Sequence, residues 1–378
     1  MFIRITFGKE KIANVYKIPL SVTPINGSAL AKMLETYDGQ GAMKIVDDFE
    51  EALKRYTGSR YVLALNSGTA AIHLALKALG VSPGDTVIAP TFTYVATINP
   101  IIYLGATPIL IDSEPTTWNM SPELLESAIL EGIAKGKKSK CIIIVHAYGM
   151  PARMNELMEI GHKYGIPILE DAAEAIGSTY QGQMAGTIGQ VGIFSFNNNK
   201  ILTTYGGGAI ITQDRVIYEK ALFWANQARE DKPFYEHREL GFNYRMGPLN
   251  AAAGLIGMSD IKSKISERRT IYERYRACIA ELSLGEEWLE EPPGLSSNRW
   301  LSTVLLNPLE INQIAKSMEG SSIECRRLWN PMHLQPFYQN YPAFVNDFSE
   351  KLFLGGLSLP SCNLDDVAQV FNVFSQKR

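Results

Sequence analysis

The chain has 378 residues, of which 46% are hydrophobic, and a formal net charge of −3 at pH 7. This length exceeds the size at which one hydrophobic core usually stops growing, so two domains are expected, and the composition excludes a disordered polymer. The small net charge argues against nonspecific nucleic-acid binding, and four widely spaced cysteines without a CxxC pair indicate neither a disulfide framework nor a zinc site.

Short buried runs alternate with helical patterns from residue 45 to residue 215. Helical patterns such as SPELLESAILEGIAKG lie between them, and there Ser121 can cap the helix with Pro122 at its first position. This alternation predicts an α/β domain with a mainly parallel, seven-stranded sheet that helices cover on both faces. The strand candidates are YVLALN, TVIAPTF, TPILID, KCIIIVHA, IPILEDA, VGIFSF and GGAIIT.

The pattern changes after Pro248, where apolar residues from Ile261 to Leu282 recur at helical spacing. We interpret this stretch as a long amphipathic helix that leads into a smaller α+β domain. The prediction is a large domain over residues 18–250 and a small C-terminal domain over 251–378, with residues 1–17 packed against the latter.

The N-terminal stretch MFIRITFGKEKIANVYK carries charge early and lacks a sustained apolar segment, which is unlike a signal peptide. No apolar run approaches the length of a membrane span, since AAIHLALKALGV is interrupted by His73 and Lys77. We therefore predict a cytoplasmic protein with no membrane partner and no nucleic-acid partner.

Ser67, Gly68 and Thr69 lie between the first predicted strand and a helix. The N–H groups at a helix N-terminus can bind a phosphate, glycine lets the backbone approach, and the hydroxyls add donors. An ordinary helix cap explains the same residues equally well. The stretch predicts a phosphate cup, with that alternative open.

Asp171 ends the strand run in ILEDAAEAIG, and Lys200 follows the strand VGIFSF in FSFNNNKILTTYGGG. A buried carboxylate can pair with a protonated ring nitrogen, whereas a helix cap is the alternative for Asp171. A lysine among asparagines and glycines is a candidate for a Schiff base with a cofactor aldehyde. Ser195 just upstream is a further candidate phosphate donor.

An aromatic side chain in PTFTYVATINP, Phe92 or Tyr94, can stack on a flat ring. A phosphate cup, a ring stacker, an acid and a lysine are together the groups that pyridoxal 5′-phosphate requires. A nicotinamide-dependent oxidoreductase on a doubly wound sheet would instead need a GxGxxG turn, which the chain lacks. No metal site is predicted.

The motifs NSGTAAIHLAL, VHAYGMPARM, LEDAAEAIGS, FSFNNNK and GFNYRM, in this order, resemble the DegT/DnrJ/EryC1/StrS sugar aminotransferases of pyridoxal phosphate fold type I. The resemblance runs from about residue 17 to the end. The stretch IECRRLWNPMHLQP further resembles the branch that aminates C4 of a UDP-linked 4-keto-6-deoxy-N-acetylhexosamine in the bacillosamine pathway.

This resemblance implies a role for each matching residue. Lys200 is the catalytic lysine, and Asp171 pairs with the pyridinium nitrogen. Asn243 reaches the phosphate from the neighbouring subunit, so the resemblance implies a homodimer with shared active sites. The other implied cofactor contacts are Ser67, Gly68, Thr69, Tyr94, Glu174 and Ser195.

The resemblance implies L-glutamate and a UDP-sugar as substrates. The alternatives are another nucleotide-linked keto sugar, such as a GDP-linked sugar giving perosamine, or a 3-keto sugar. Anionic substrates need cationic anchors. The cationic candidates are Arg229, Arg245 and Arg326. The resemblance adds Glu174 and His333 as candidate substrate contacts and also points to Arg326.

Overall fold

The computed structural model describes residues 16–36 and 42–375. Its α-helices, in chain order, are α1 (Gly27–Thr36), α2 (Ala42–Thr57), α3 (Gly68–Ala78), α4 (Val95–Tyr103), α5 (Pro122–Ala134), α6 (Met154–Tyr164), α7 (Arg215–Ala225), α8 (Pro248–Ser259), α9 (Ile261–Ala280), α10 (Pro308–Gly320), α11 (Phe348–Gly355) and α12 (Asp366–Ser375). Its strands are β1 (Tyr61–Leu65), β2 (Thr86–Pro90), β3 (Thr107–Ile111), β4 (Cys141–Val145), β5 (Ile168–Asp171), β6 (Thr179–Tyr180), β7 (Gln183–Met184), β8 (Val191–Ser195), β9 (Gly208–Thr212), β10 (Glu287–Trp288), β11 (Leu295–Ser296), β12 (Ser302–Leu305), β13 (Arg326–Arg327), β14 (Ala343–Phe344) and β15 (Gly356–Leu359).

The largest sheet of the described residues has eight strands in the order β1-β9-β8-β5-β4-β2-β3-β14. The six strands β8, β5, β4, β2, β3 and β14 run parallel to one another, while β9 is antiparallel to both of its neighbours, β1 and β8. Each of the seven predicted runs contributes a strand, which confirms the mainly parallel sheet. The eighth strand, β14, comes from the C-terminal part of the chain and was not predicted.

Helices cover both faces of this sheet, and its strands are therefore buried on both sides. Helices α3, α4 and α7 pack on one face together with Leu63, Val87 and Ile143. Helices α2 and α8, and further along the sheet α5 and α6, cover the opposite face. Ser121 accepts a hydrogen bond from the Leu124 N–H at 3.2 Å and caps α5 as predicted.

The C-terminal part of the chain forms a second, four-stranded sheet in the order β10-β12-β15-β13. A separate apolar cluster contains its residues Val304 and Leu357 together with α10 and α12. The long predicted helix is α9, which contributes Ile261 to the core of the large sheet and Tyr275 to this second cluster. The predicted boundary between residues 250 and 251 stays a prediction.

The N-terminal segment is described from Tyr16 onward, so most of the predicted packing of residues 1–17 lies outside the described residues. Lys17 N–H donates to the Ser322 carbonyl at 2.9 Å, and Ile18 forms a parallel bridge with Ile323. Across residues 16–36 and 42–375, no helix combines the length and apolar composition needed to cross a bilayer.

Candidate active site

The side chain of Lys200 lies between an acid and an aromatic ring. Lys200 follows β8 in an irregular loop, where its N–H donates to the Asn197 carbonyl at 3.0 Å. Its Nζ lies 3.1 Å from Glu174 Oε1 and 3.9 Å from the centre of the Trp300 ring. With 12% of the side chain exposed, the amine is held at a definite place and still open to a small ligand.

Glu174 is a buried carboxylate with two kinds of partner. Its Oε1 faces Lys200, and its Oε2 accepts a hydrogen bond from the Tyr148 N–H at 2.8 Å. Burial raises the pKa of Glu174, and the positive charge of Lys200 opposes that shift. Glu174 is therefore a buried acid that is stabilised in its charged form by the amine beside it.

Asp171 ends β5 at the edge where strands of a parallel sheet present their ligands. Its carboxylate accepts from Thr97 Oγ1 at 2.7 Å and from the Ala173 N–H at 3.2 Å. Burial raises the pKa of Asp171, opposed by these two hydrogen bonds and by the charge of Lys200. Within the described residues Asp171 forms no ion pair, so it is a buried acid that a protonated ring nitrogen fits.

The N-terminus of α3 lies against Ser195. A Cβ added to Gly68 would stand 3.0 Å from the Ser195 Cβ and 3.3 Å from its Oγ, so a larger residue would crowd Ser195. The Ser67 hydroxyl accepts from the Ala70 N–H at 3.0 Å, which is the helix-cap role left open above. Thr69 is half-buried in the first turn of the same helix. Gly68, Thr69 and Ser195 thus meet around a helix N-terminus that suits a phosphate.

The structure separates the two candidate stacking residues. Tyr94 precedes α4 with 60% of its surface exposed, so its ring is open to a ligand. Phe92 is buried and packs against Tyr148 and Trp329, with ring centres 6.1 and 5.4 Å away. Phe92 belongs to the core, and Tyr94 keeps the stacking role as a prediction.

Asn243 is exposed, and its carbonyl accepts from the Asn66 side chain at 3.1 Å within the same chain. Its backbone also bridges that of Asn226. The segment therefore runs close to the start of the phosphate cup of its own chain. The reach of Asn243 into a second subunit stays a prediction.

Of the predicted substrate contacts, Glu174 touches Lys200, whereas no contact of the described residues joins Lys200 to the arginines or to His333. Arg245 pairs with the buried Glu50 at 3.0 Å. Arg326 is mostly exposed and pairs with Glu324 at 2.6 Å. His333 lies beside the end of β2, where its Nδ1 is 2.8 Å from the hydroxyl of Thr91, and its Nε2 lies 3.3 Å from Glu350.

The remaining predicted anchor is also held away from the lysine. The guanidinium of Arg229 lies 4.5 Å from the centre of the Tyr235 ring. The substrate-binding roles of all four residues therefore stay predictions; they are Arg229, Arg245, Arg326 and His333.

The roles of four residues next to the site were not predicted from the sequence. Tyr148 has φ of 53°, in the left-handed region, and its ring stacks on those of Trp300 and Trp329 at 6.2 and 4.5 Å. Thr97 is the side-chain donor to Asp171. The signal for Thr97 was its position three residues after Tyr94, but nothing local indicates the tryptophans, which lie more than 120 residues from Glu174.

His146 has a structural role. Its Nε2 lies 2.9 Å from Glu170, and its Nδ1 accepts from the Ala152 N–H at 3.1 Å, so Nε2 carries the proton and donates it to the carboxylate. Glu170 also accepts from the N–H groups of Gly186, Ile188 and Gly189. Both His146 and Glu170 are fully buried, and their polar atoms are hydrogen-bonded within the fold.

These residues fit pyridoxal phosphate. The helix N-terminus with Gly68 and Ser195 suits the phosphate, Asp171 lacks the cation that a protonated ring provides, and Lys200 presents an amine. No group of histidine, cysteine or carboxylate side chains in the described part of the chain could hold a metal ion.

A family model decides the assignment. The DegT/DnrJ/EryC1/StrS aminotransferase family matches residues 29–375. The chain belongs to this family. A Bacillus subtilis (strain 168) relative, EpsN, named as a pyridoxal phosphate-dependent aminotransferase, is 44% identical over 324 residues, 84% of this chain and 83% of the relative.

Two further DegT/DnrJ/EryC1/StrS proteins extend the comparison. The GDP-perosamine synthase of Caulobacter vibrioides is 32% identical over 358 residues, 93% of this chain and 94% of that protein. The crystal structure of a DegT DnrJ EryC1 StrS aminotransferase from Brucella abortus matches with a TM-score of 0.85 at 28% identity, over 93% and 94% of the two chains. The predicted family, fold type and cofactor are confirmed: the protein is a pyridoxal phosphate-dependent nucleotide-sugar aminotransferase.

Proposed function

We propose that this aminotransferase moves an amino group from L-glutamate to C4 of a UDP-linked 4-keto-6-deoxy-N-acetylhexosamine. Support for the sugar comes from residues 323–336, whose sequence resembles the bacillosamine branch. Trp329 of that segment stacks on Tyr148 at 4.5 Å, and the Tyr148 N–H bonds to Glu174 beside Lys200. This contact carries the proposal, because it connects the segment through Tyr148 to the acid beside the reactive amine.

The proposed chemistry uses four side chains of this chain. Bound pyridoxal phosphate supplies an aldehyde that accepts the amino group and a ring that withdraws electrons. Lys200 Nζ takes a proton from the reacting substrate carbon and returns it, with Glu174 Oε1 at 3.1 Å to hold the proton in between. Asp171 would pair with the protonated ring nitrogen, and the exposed ring of Tyr94 would be available to stack on the cofactor ring.

The test is a screen of keto-sugar nucleotides against the pyridoxamine-loaded enzyme. The UDP-linked 4-keto-6-deoxy-N-acetylhexosamine should restore the visible cofactor absorbance and yield an amino sugar by mass spectrometry. Glutamate should then bleach the absorbance and give 2-oxoglutarate. Lys200→Ala should block both half-reactions. If glutamate bleaches the colour but the UDP-sugar does not restore it, the substrate proposal is wrong and the aminotransferase assignment stands.

A GDP-linked 4-keto-6-deoxymannose is the second candidate sugar. A relative named GDP-perosamine synthase aligns with 93% of this chain, and this supports the alternative. The same screen separates the two, because each nucleotide sugar is offered alone. A UDP-linked 3-keto sugar belongs in the panel as the third substrate class.

We further propose a homodimer in which Asn243 serves the neighbouring site. Apolar side chains left exposed in the single chain support an interface; they include Tyr103, Tyr235, Leu240 and Leu249. Mixing Lys200→Ala with Asn243→Ala protein should regain activity, because one site of the mixed dimer then has both native residues. No recovery after verified subunit exchange would contradict sharing of Asn243.

A further inference from the structure

A short N-terminal segment, residues 18–23, crosses from the C-terminal sheet to the lysine loop; we name it the strap. At its start, Ile18 pairs with Ile323, and the Leu20 N–H donates to Glu324 at 2.9 Å. The Leu20 carbonyl accepts from the Ser361 N–H at 3.0 Å. The start of the strap is thus bonded to two segments of the C-terminal part, at residues 323–324 and at Ser361.

The other end of the strap bonds directly to the backbone of the lysine loop. The Thr23 hydroxyl donates to the Lys200 carbonyl at 2.8 Å, and the Ser21 hydroxyl donates to the Asn199 carbonyl at 2.7 Å. Thr23 is buried, so water does not compete well for that carbonyl. Since the Lys200 N–H is held by Asn197, both peptide groups of Lys200 are fixed.

The direction of the Ser21 bond is set by Arg268. The guanidinium of Arg268 donates to Ser21 Oγ at 3.2 Å, and a guanidinium cannot accept. The Ser21 proton must therefore point at Asn199. Trp300 Nε1 donates to the same carbonyl at 2.8 Å, while its ring lies over Lys200 Nζ.

We propose that Thr23 and Ser21 are positioning residues for Lys200. Their hydroxyls fix the loop backbone so that the amine meets Glu174 and Trp300. Without them the loop has few regular hydrogen bonds, so the amine would sample other positions and reach its reaction geometry less often. The strap also links that geometry to the segment carrying Glu324, just before β13. This inference rests on the lysine chemistry of the proposed function and is independent of the sugar.

The test compares three variants of the full-length enzyme. Thr23→Val removes the donor at nearly constant shape, and Thr23→Ser retains it. Thr212→Val is the matched control, because Thr212 is also buried and donates to a backbone carbonyl, that of Gln190, at 2.8 Å. The readouts are amide hydrogen exchange of residues 196–205 in the cofactor-free protein, and the rate at which glutamate bleaches the visible band.

Thr23→Val should speed exchange of residues 196–205 and slow bleaching, each about fivefold to tenfold. Thr23→Ser and Thr212→Val should stay within about twofold of the parent. Equal losses in the two valine variants, or a Thr23→Val enzyme like the parent, would overturn the inference. If Thr23→Val does not fold, Ser21→Ala decides by the same exchange readout. A parent protein that never colours with the cofactor would instead refute the lysine chemistry itself.

Discussion

Glu170 and Asp171 are consecutive buried acids at the end of β5, on opposite faces of the sheet, and their surroundings differ. Glu170 accepts from three backbone N–H groups and from His146. Asp171 accepts from one hydroxyl and one N–H group, and burial raises its pKa. The hydrogen-bonding capacity of Glu170 is thus satisfied without a ligand. Asp171, by contrast, has no cationic partner among residues 16–36 and 42–375.

The difference separates a structural acid from a functional one. A buried carboxylate with a full set of donors holds backbone together, and here it fixes the turn at residues 186–189. A buried carboxylate with few donors costs free energy until a positive group arrives. The number of donors thus assigns roles that the sequence EDAAE leaves open.

The largest expected effect is on catalysis by Asp171→Asn. Asparagine keeps the size but removes the charge that stabilises a protonated ring nitrogen, so kcat/KM should fall about 10²–10³-fold. Steady-state kinetics with saturating cofactor measures this. In the cofactor-free protein the same change should not lower the melting temperature, because it removes an unpaired buried charge. Near-parent activity would break the functional assignment of this face.

Glu170→Gln should act on stability instead. The amide nitrogen would face backbone N–H groups that need an acceptor, so the unfolding free energy should fall by about 2–4 kcal/mol. Urea denaturation measures it, and activity per folded molecule should stay within about twofold. Glu131→Gln, which removes an exposed pair with Lys135, is the control and should change little. A catalytic loss without destabilisation would contradict the comparison.

Thr97→Val tests how much Asp171 depends on its side-chain donor. Removing the 2.7 Å hydrogen bond should raise the pKa of Asp171 further and weaken its hold on a cationic ring, for about a tenfold loss in cofactor affinity. Titration of the cofactor by fluorescence measures the affinity. Thr93→Val is the matched control, because Thr93 bonds to Thr97 and not to the acid. Equal losses in both variants would argue for packing alone.

The smallest effect concerns the pH dependence of cofactor-free stability. The pKa values of Asp171 and Glu174 are raised in the folded state, so their contribution is fully present below the unfolded values, near about 4. It is lost as pH rises through the folded values. The parent should therefore lose stability relative to Asp171→Asn as pH rises from about 4. A difference in melting temperature that is constant with pH would contradict this.

The sequence was sufficient for the elements that depend on local pattern. Seven of the eight strands of the large sheet, the Ser121 cap and the long helix α9 follow from runs of apolar residues and their flanking residues. The two-residue strand β14 has no pattern of its own and depends on pairing with β3. Lys200 and Asp171 could be chosen as candidates because Asp171 ends one buried strand and Lys200 follows another.

Contacts across long sequence separations were not predictable from single residues. The Glu50 partner of Arg245 lies 195 residues away in the chain. The sequence alone therefore does not distinguish an arginine that binds an anionic substrate from one that forms a structural ion pair. The stack of Trp300 and Trp329 on Tyr148 depends on the C-terminal sheet meeting the large one. Neither helical nor strand periodicity carries such information.

That stack makes the enzyme its own optical probe. Of five tryptophans in the chain, Trp300 lies over Lys200, and Trp329 stacks on the ring of Tyr148. Energy absorbed by these indoles can transfer to a nearby coloured chromophore or be quenched by an altered charge on the lysine. Emission from the unlabelled protein therefore reports occupancy and the state of the amine in real time, and Trp300→Phe should remove most of that signal.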